Sequence, residues 1–384
     1  MHAFKATLGL FGLFVTAAQA QTNPCDHFYV HQRGMIVTVR PTNSDDTQNL
    51  RCAIDYAAQL GRSVTVQLEQ GTYKTAQLTV QGMKGTIRGV GRERTIIRNS
   101  DSPMLVTNPV TWLDSPPSIS NAYPTLIAVI GDDVVISDLS IRIVGLNPTT
   151  DWYWLNMGPF RFVVPAIALV GSHSALRVRH VEVSGSDKCF PDPGANLLAA
   201  IEFWNFVSQT RPWPTASALE VVDSEIRGCW GVLVADVVGA DITITRNNFD
   251  THGYGVQAGD LRKSSLDISG NTMKVADPAP AAINISSWAF GTGIQDSSLV
   301  LKHNQLLSTA GIWLGDDSFH GSVHCAMMCN NVANATDISY WFRPGTYGCT
   351  VIGNGNGTVR DESGGAHKIV TANACGAGRM SADH

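Results

Sequence analysis

Apolar and polar residues repeat along this chain in a short unit: apolar side chains at i, i+2 and i+7, with asparagine at i+5. Leu266, Ile268, Asn271 and Met273 fill it, as do Ile242, Ile244, Asn247 and Phe249, and then Leu299, Leu301, Asn304 and Leu306. Looser copies are Val134/Ile136/Leu139/Ile141, Leu176/Val178/Val181/Val183, Leu219/Val221/Ser224/Ile226, Cys325/Met327/Asn330/Val332 and Cys349/Val351/Asn354/Asn356. The eight copies start 42, 43, 23, 24, 33, 26 and 24 residues apart. Alternation with period two predicts strands on either side of a bend. The asparagine marks that bend, where stacked amides satisfy one another from copy to copy.

A second strand recurs in step with the first, for example as "AIALVGSH" (166–173), "GVLVADV" (231–237) and "GIWLGDD" (311–317). Three short strands per coil of roughly two dozen residues predict an all-β fold: a single-stranded, right-handed parallel β-helix, or solenoid. In the second strand Ile127, Ile167, Ile201, Val232, Val256, Ile283, Ile312 and Ile338 are expected to point inward. Glu202, Leu233, Gln257, Asn284, Trp313 and Ser339 are then expected to point to solvent. The next outward column would hold Trp204, Ala235, Gly259, Ser286, Gly315 and Trp341. Ahead of the repeats, Asp46 to Leu60 reads as an amphipathic helix with Ala53, Ile54, Ala57 and Leu60 on one face, placed to cap the open first coil.

The repeats and the opening segment "DDTQNLRCAIDYAAQLGRSVTVQLEQGTYKTAQLTV" (45–80) resemble the pectin-lyase-like superfamily of parallel β-helix proteins. The resemblance spans roughly residues 40–360 and implies the fold. It implies less about activity, because that superfamily includes lyases, hydrolases, epimerases and non-catalytic adhesins. Its catalytic signatures match poorly. Asp316-Asp317 and His252-Gly253 are similar to parts of the polygalacturonase pattern, but in reversed order and without Arg-x-Lys after them. Neither the Asp-Pro-His-Asp stretch of the epimerases nor the Trp-Ile-Asp-His stretch of the pectate lyases occurs.

Composition and charge narrow the picture. Thirty-six glycines and 15% charged residues suit strands and turns. The net charge of −5 argues against a nucleic-acid partner. Lys5, a short apolar run and Ala18-Gln19-Ala20 read as an export signal over residues 1–20, too short to span a bilayer. A periplasmic or secreted monomer with no membrane span is expected. The organisation then comprises an N-terminal segment 21–45, the β-helix with its cap at 46–360, and a tail at 361–384. Eight cysteines fit an oxidising compartment, with Cys25–Cys52 and Cys189–Cys229 as candidate pairs. His320, His324, Cys325 and Cys329 do not make a convincing zinc set, since the repeat sends Cys325 and His324 to opposite sides of one strand. Sequons occur at Asn284, Asn334 and Asn356.

Exposed aromatics beside amides and carboxylates suit a polysaccharide partner, because ring faces stack on sugars while hydroxyls find hydrogen bonds. Trp204, Gln257, Asn284, Trp313, Trp341 and Arg343 are the candidate binding residues. Glu202, Asp236, Asp260 and Asp316 are the candidate acids and bases. Asp236 and Asp260 fall one coil apart and Asp316 two coils beyond, spacings that glycosidases use for paired carboxyls. The expected activity is therefore hydrolysis of glycosidic linkages. One alternative is β-elimination on a uronate polymer, with calcium held by the acids and Arg343, His252, Tyr254 or His320 as base. The other is a non-catalytic carbohydrate-binding or surface protein. Insertions at 145–164, 185–198 and 206–217 are expected to wall one end of the groove.

Overall fold

The computed structural model describes residues 25, 29–100, 125–130, 133–144, 165–170, 173–186, 189, 199–204, 216–276, 281–286, 293–308, 310–315, 322–324, 327–332, 338–344, 346–352, 358–365 and 368–370. One coil shows the plan. Val256–Arg262 forms a strand on the front side, Ser265–Ser269 one on the second side and Thr272–Val275 one on the third. Repeated along the chain, the front strands make a ten-stranded sheet, and the other two sides merge into a twenty-stranded one. A small three-stranded strip, Gly293–Ile294, Ser322–His324 and Thr346–Tyr347, is added in the last coils. Among the described residues every ladder is parallel except the hairpin of Val30–Arg33 with Ile36–Val39. The protein is a right-handed parallel β-helix.

The repeat unit predicts the register. Ile242 pairs with Leu266 and Leu266 with Leu299; Ile244, Ile268 and Leu301 stack in the same way. All six are buried, as are Phe249, Met273 and Leu306 below the bend. The seventh copy is the exception. Met328, not Met327, sits beside Leu301, while Val332 keeps its place beside Leu306. The register slips between Lys302 and Gln305, so this copy is one residue shorter between its first strand and its bend.

Buried amides hold the bend, as predicted. Asn247 Nδ2 donates to Asn271 Oδ1 at 3.0 Å and Asn271 Nδ2 to Asn304 Oδ1 at 2.9 Å. The same oxygens accept the backbone N–H groups of Asn247 and Asn271, at 2.9 and 3.0 Å. Each Nδ2 also reaches a carbonyl of the preceding coil, Val221, Ile244 or Ile268, at 2.8–2.9 Å. Every bent backbone group here thus has a partner, which burial requires. A serine ladder does similar work at the corner between front and second sides: Ala240 N donates to Ser264 Oγ and Ser264 N to Ser297 Oγ, both at 3.0 Å.

The cap is a helix at Thr47–Gln59, burying Leu50, Ala53, Ile54, Tyr56 and Ala57. Asp46 at its start is fully buried and accepts from Thr42 N at 2.8 Å. Burial still pushes its carboxyl above the ordinary value, against the lowering effect of those hydrogen bonds. The disulfides Cys25–Cys52 and Cys189–Cys229 both form, and Cys349 is disulfide-bonded as well. Such crosslinks are consistent with an exported protein. No helix among the described residues is long and apolar enough to cross a membrane.

Candidate functional site

On the front side, one register column runs Ala168, Glu202, Leu233, Gln257, Asn284, Trp313, Trp341 and Arg360. Neighbours in it are about 4.8 Å apart, the spacing of paired strands. The alternation holds, since Val232, Val256, Ile283 and Ile312 fill the core between them. The expected exposure does not. Glu202 is 1% exposed, Gln257 7% and Asn284 8%. Ala199, Leu233 and Ala235 form a small apolar cluster with Trp230 packed on it, outside the main core. Strand alternation names the face a side chain leaves by, but not what packs over that face. Burial also removes Asn284 as a sequon acceptor; Asn334 and Asn356 lie outside the described residues.

Trp341 is corrected in register. The sequence pairs Ile338 with Ile312, but the structure pairs Tyr340 there and sets Trp341 directly against Trp313. Their rings meet edge to face, centroids 4.7 Å apart at 82°. The Arg343 guanidinium lies 5.8 Å from the Trp313 ring centre and 5.0 Å from that of Trp341. Arg360 covers the Trp341 ring at 4.5 Å, and Trp341 Nε1 donates to Glu362 at 2.9 Å. Both rings are half-buried, so the last coils offer a partly open aromatic surface that two cations brace. Trp313 Nε1 and Gln257 Oε1 are buried and make no hydrogen bond.

The acids are placed less completely. Ala235 pairs with Gly259 and Val237 with Leu261, so Asp236 and Asp260 occupy the same level of adjacent coils. Asp260 is fully buried, at a left-handed φ of 52°. The side chains of Asp236 and Trp204, and the whole of Asp316, Asp317 and His320, lie outside the described residues, as do most of the three insertions. No group of three or more His, Cys, Asp or Glu side chains suited to a metal ion occurs among the described residues.

The third side carries a feature the sequence reading did not anticipate. A cleft of about 420 Å³ is lined by Arg142, Glu182, Ser184, Arg227, Asp250 and His252, with Gly185 and Gly228. Arg142, Ser184, Arg227, Asp250 and Lys274 follow one another on successive coils. Arg142 pairs with Glu182 at 3.4 Å, Arg227 with Glu225 at 3.2 Å and Lys274 with Asp250 at 3.4 Å. His252 is one of the lining residues. Two residues on, Tyr254 packs against Trp230 with ring centroids 5.5 Å apart.

No family profile matches the sequence, and neither does any curated protein. Solved structures of similar shape do exist. The Dettilon tailspike protein shares 11% identity over 87% of this chain and 68% of its own, with a TM-score of 0.40. A surface adhesin of Streptococcus pneumoniae shares 13% over 87% and 90%, with a TM-score of 0.49. A polygalacturonase from Erwinia carotovora shares 12% over 88% and 93%, with a TM-score of 0.48.

Proposed function

We propose that this protein is an exported polysaccharide-active enzyme that holds a sugar chain along the front column and cleaves it, by hydrolysis in preference to β-elimination. The observation that carries the reading is the half-buried Trp313–Trp341 pair, the open end of the run Gln257, Asn284, Trp313, Trp341 on four consecutive coils. Rings of this kind stack on pyranose faces, and the guanidinium groups of Arg343 and Arg360 beside them can bond the hydroxyls. Glu202 stands in the same column, two coils before Gln257. Removing a carboxylate from water costs about several kcal/mol, only partly offset by its partners. An acid kept there at that cost suits chemistry better than stability. Asp236, Asp260 and Asp316 are the other acids proposed for the reaction, and calcium is needed only under the β-elimination reading.

A non-catalytic carbohydrate-binding protein is the second reading, and one observation favours it: Glu202 and Asp260 are closed to solvent while both tryptophans are partly open. A polysaccharide panel, assayed for new reducing ends and for the ultraviolet absorbance of an unsaturated uronate with and without calcium, separates the readings. Reducing ends alone support hydrolysis; both signals together mean a lyase. Binding with neither signal, and with Glu202→Gln unchanged from wild type, leaves the non-catalytic protein.

A further inference from the structure

The third-side cleft shares no residue with the front column, and its chemistry selects a ligand. We propose that it is a second carbohydrate site, taking an uncharged sugar unit through its hydroxyl groups. The charges around it are already committed to one another. Arg142 holds Glu182, and Glu225 takes both Arg227 and, at 3.0 Å, Arg92, while Asp250 holds Lys274. An anionic ligand would meet Glu182 and Asp250 beside every guanidinium it approached, and a cationic ligand would meet the arginines. Like charges forced together in this way cost several kcal/mol. A sugar hydroxyl both donates and accepts, so it can bridge a guanidinium and a carboxylate without breaking either pair.

The geometry supports the same class. Register sets Arg142, Ser184, Arg227 and Asp250 in a line at about 4.8 Å per coil, so donors and acceptors succeed one another along a strip. The Arg142 side chain is 38% exposed and lines this space, which leaves guanidinium N–H groups for a ligand oxygen beside the Glu182 pair. Gly185 and Gly228 add no side chains to the lining. Beyond His252 the chain passes Gly253, whose added Cβ would lie 2.1 Å from the Trp230 ring, and reaches the Trp230–Tyr254 pair. That pair is not part of the cleft lining, and Trp230 packs on the Ala199, Leu233 and Ala235 cluster, so the cleft itself offers polar contacts only. The volume falls within the range of about 300–1,000 Å³ typical of ligand sites.

The test is calorimetric titration of the Trp313→Ala/Trp341→Ala protein with neutral gluco-, manno- and galacto-oligosaccharides and with oligouronates of equal length. A neutral oligosaccharide is expected to bind this variant with little dependence on salt, and adding Ser184→Trp or Asp250→Asn should weaken binding at least tenfold. Absence of neutral binding in the variant, or indifference to both added substitutions, overturns the proposal. So does a preference for oligouronates that salt abolishes, which would make the cleft an anion site. Should the double tryptophan variant fail to fold, Ser184→Trp alone is titrated: stoichiometry falling from two to one supports the site, and unchanged stoichiometry overturns it. Failure of the front-face reading is separate, because it appears as wild-type affinity surviving the loss of both tryptophans.

Discussion

The front column and the third-side cleft stand on the same backbone rule, one residue per coil at the strand spacing, yet they solve opposite problems. On the front, neutral groups follow one another on successive coils, Gln257, Asn284, Trp313 and Trp341, with the last two in ring contact. On the third side the stacked positions run Lys74, Arg98, Arg142, Ser184, Arg227, Asp250 and Lys274: three cations in succession, then mixed polar and charged groups at the cleft. Like charges directly opposite one another in a sheet are destabilising. A solenoid can therefore stack a neutral chemistry freely, as it stacks asparagines at the bend. Like charges stacked on the third side, such as Glu182 beside Glu225, are instead offset by opposite charges from other positions: Arg142 pairs with Glu182, and Arg92 and Arg227 pair with Glu225. The front becomes a graded surface, closed over the middle coils and half-open at the last. The third side becomes a mosaic of ion pairs around a cleft.

The largest effect that would break this division is loss of the front rings. Removing Trp313 and Trp341 together should cost about 3 kcal/mol of polysaccharide affinity, on the order of a hundredfold. Titration with the cognate polymer checks this, and an unchanged affinity would move the sugar surface elsewhere. Next comes Asn271→Ala, at the bend where the second side meets the third. It strands Asn247 N and the Ile244 carbonyl inside the bend, an expected loss of about 2–4 kcal/mol of stability in denaturant unfolding. A variant as stable as wild type would mean that the ladder shapes the bend without holding it.

Ser184→Trp is a smaller change, about tenfold on cleft binding and none on the front column. Its expected stability cost is near zero, within about 0.5 kcal/mol for a surface position, and thermal unfolding reads it directly. The smallest effect concerns acid. The hydrogen bonds from Arg246 to Asp223, a pair at the bend that touches neither surface, hold the Asp223 carboxyl below its ordinary value. Its stabilising contribution is complete above the ordinary aspartate value of 3.8 and is lost as pH falls through the lowered folded value. Asp46 and Asp267 run the other way: burial raises both, so the strain of ionising them is relieved as pH falls through their raised values. Asp223→Asn should therefore flatten the acid limb of the melting-temperature profile while leaving both ligand surfaces untouched. An acid limb as steep as in wild type would assign that instability to other groups.

Much of this was readable beforehand where one residue type recurs. The Asn247, Asn271, Asn304 series announces the bend, and the helix expected at 46–60 is found at Thr47–Gln59. The membership of the front column from Glu202 to Trp313 follows from alternation alone. The third-side cleft left no such trace, because Arg142, Ser184, Arg227 and Asp250 share position but not chemistry. Trp341 lies two residues from its expected place for a related reason: a two-residue shift leaves the alternation of "DISYWFR" unchanged, and only the pairing across coils, Ile312 with Tyr340 and Trp313 with Trp341, sets the register.

By itself, then, the sequence determined the coil, its bend and the direction in which each front residue leaves the strand, because these depend on local periodicity and on side chains that repeat at the same place. The tertiary structure alone decided which outward residues stay in contact with water, how the last coils align, and where unlike charges from separate coils meet. Those outcomes depend on what covers a face and what neighbours it across coils. Such contacts join residues dozens of positions apart, and no local pattern records them.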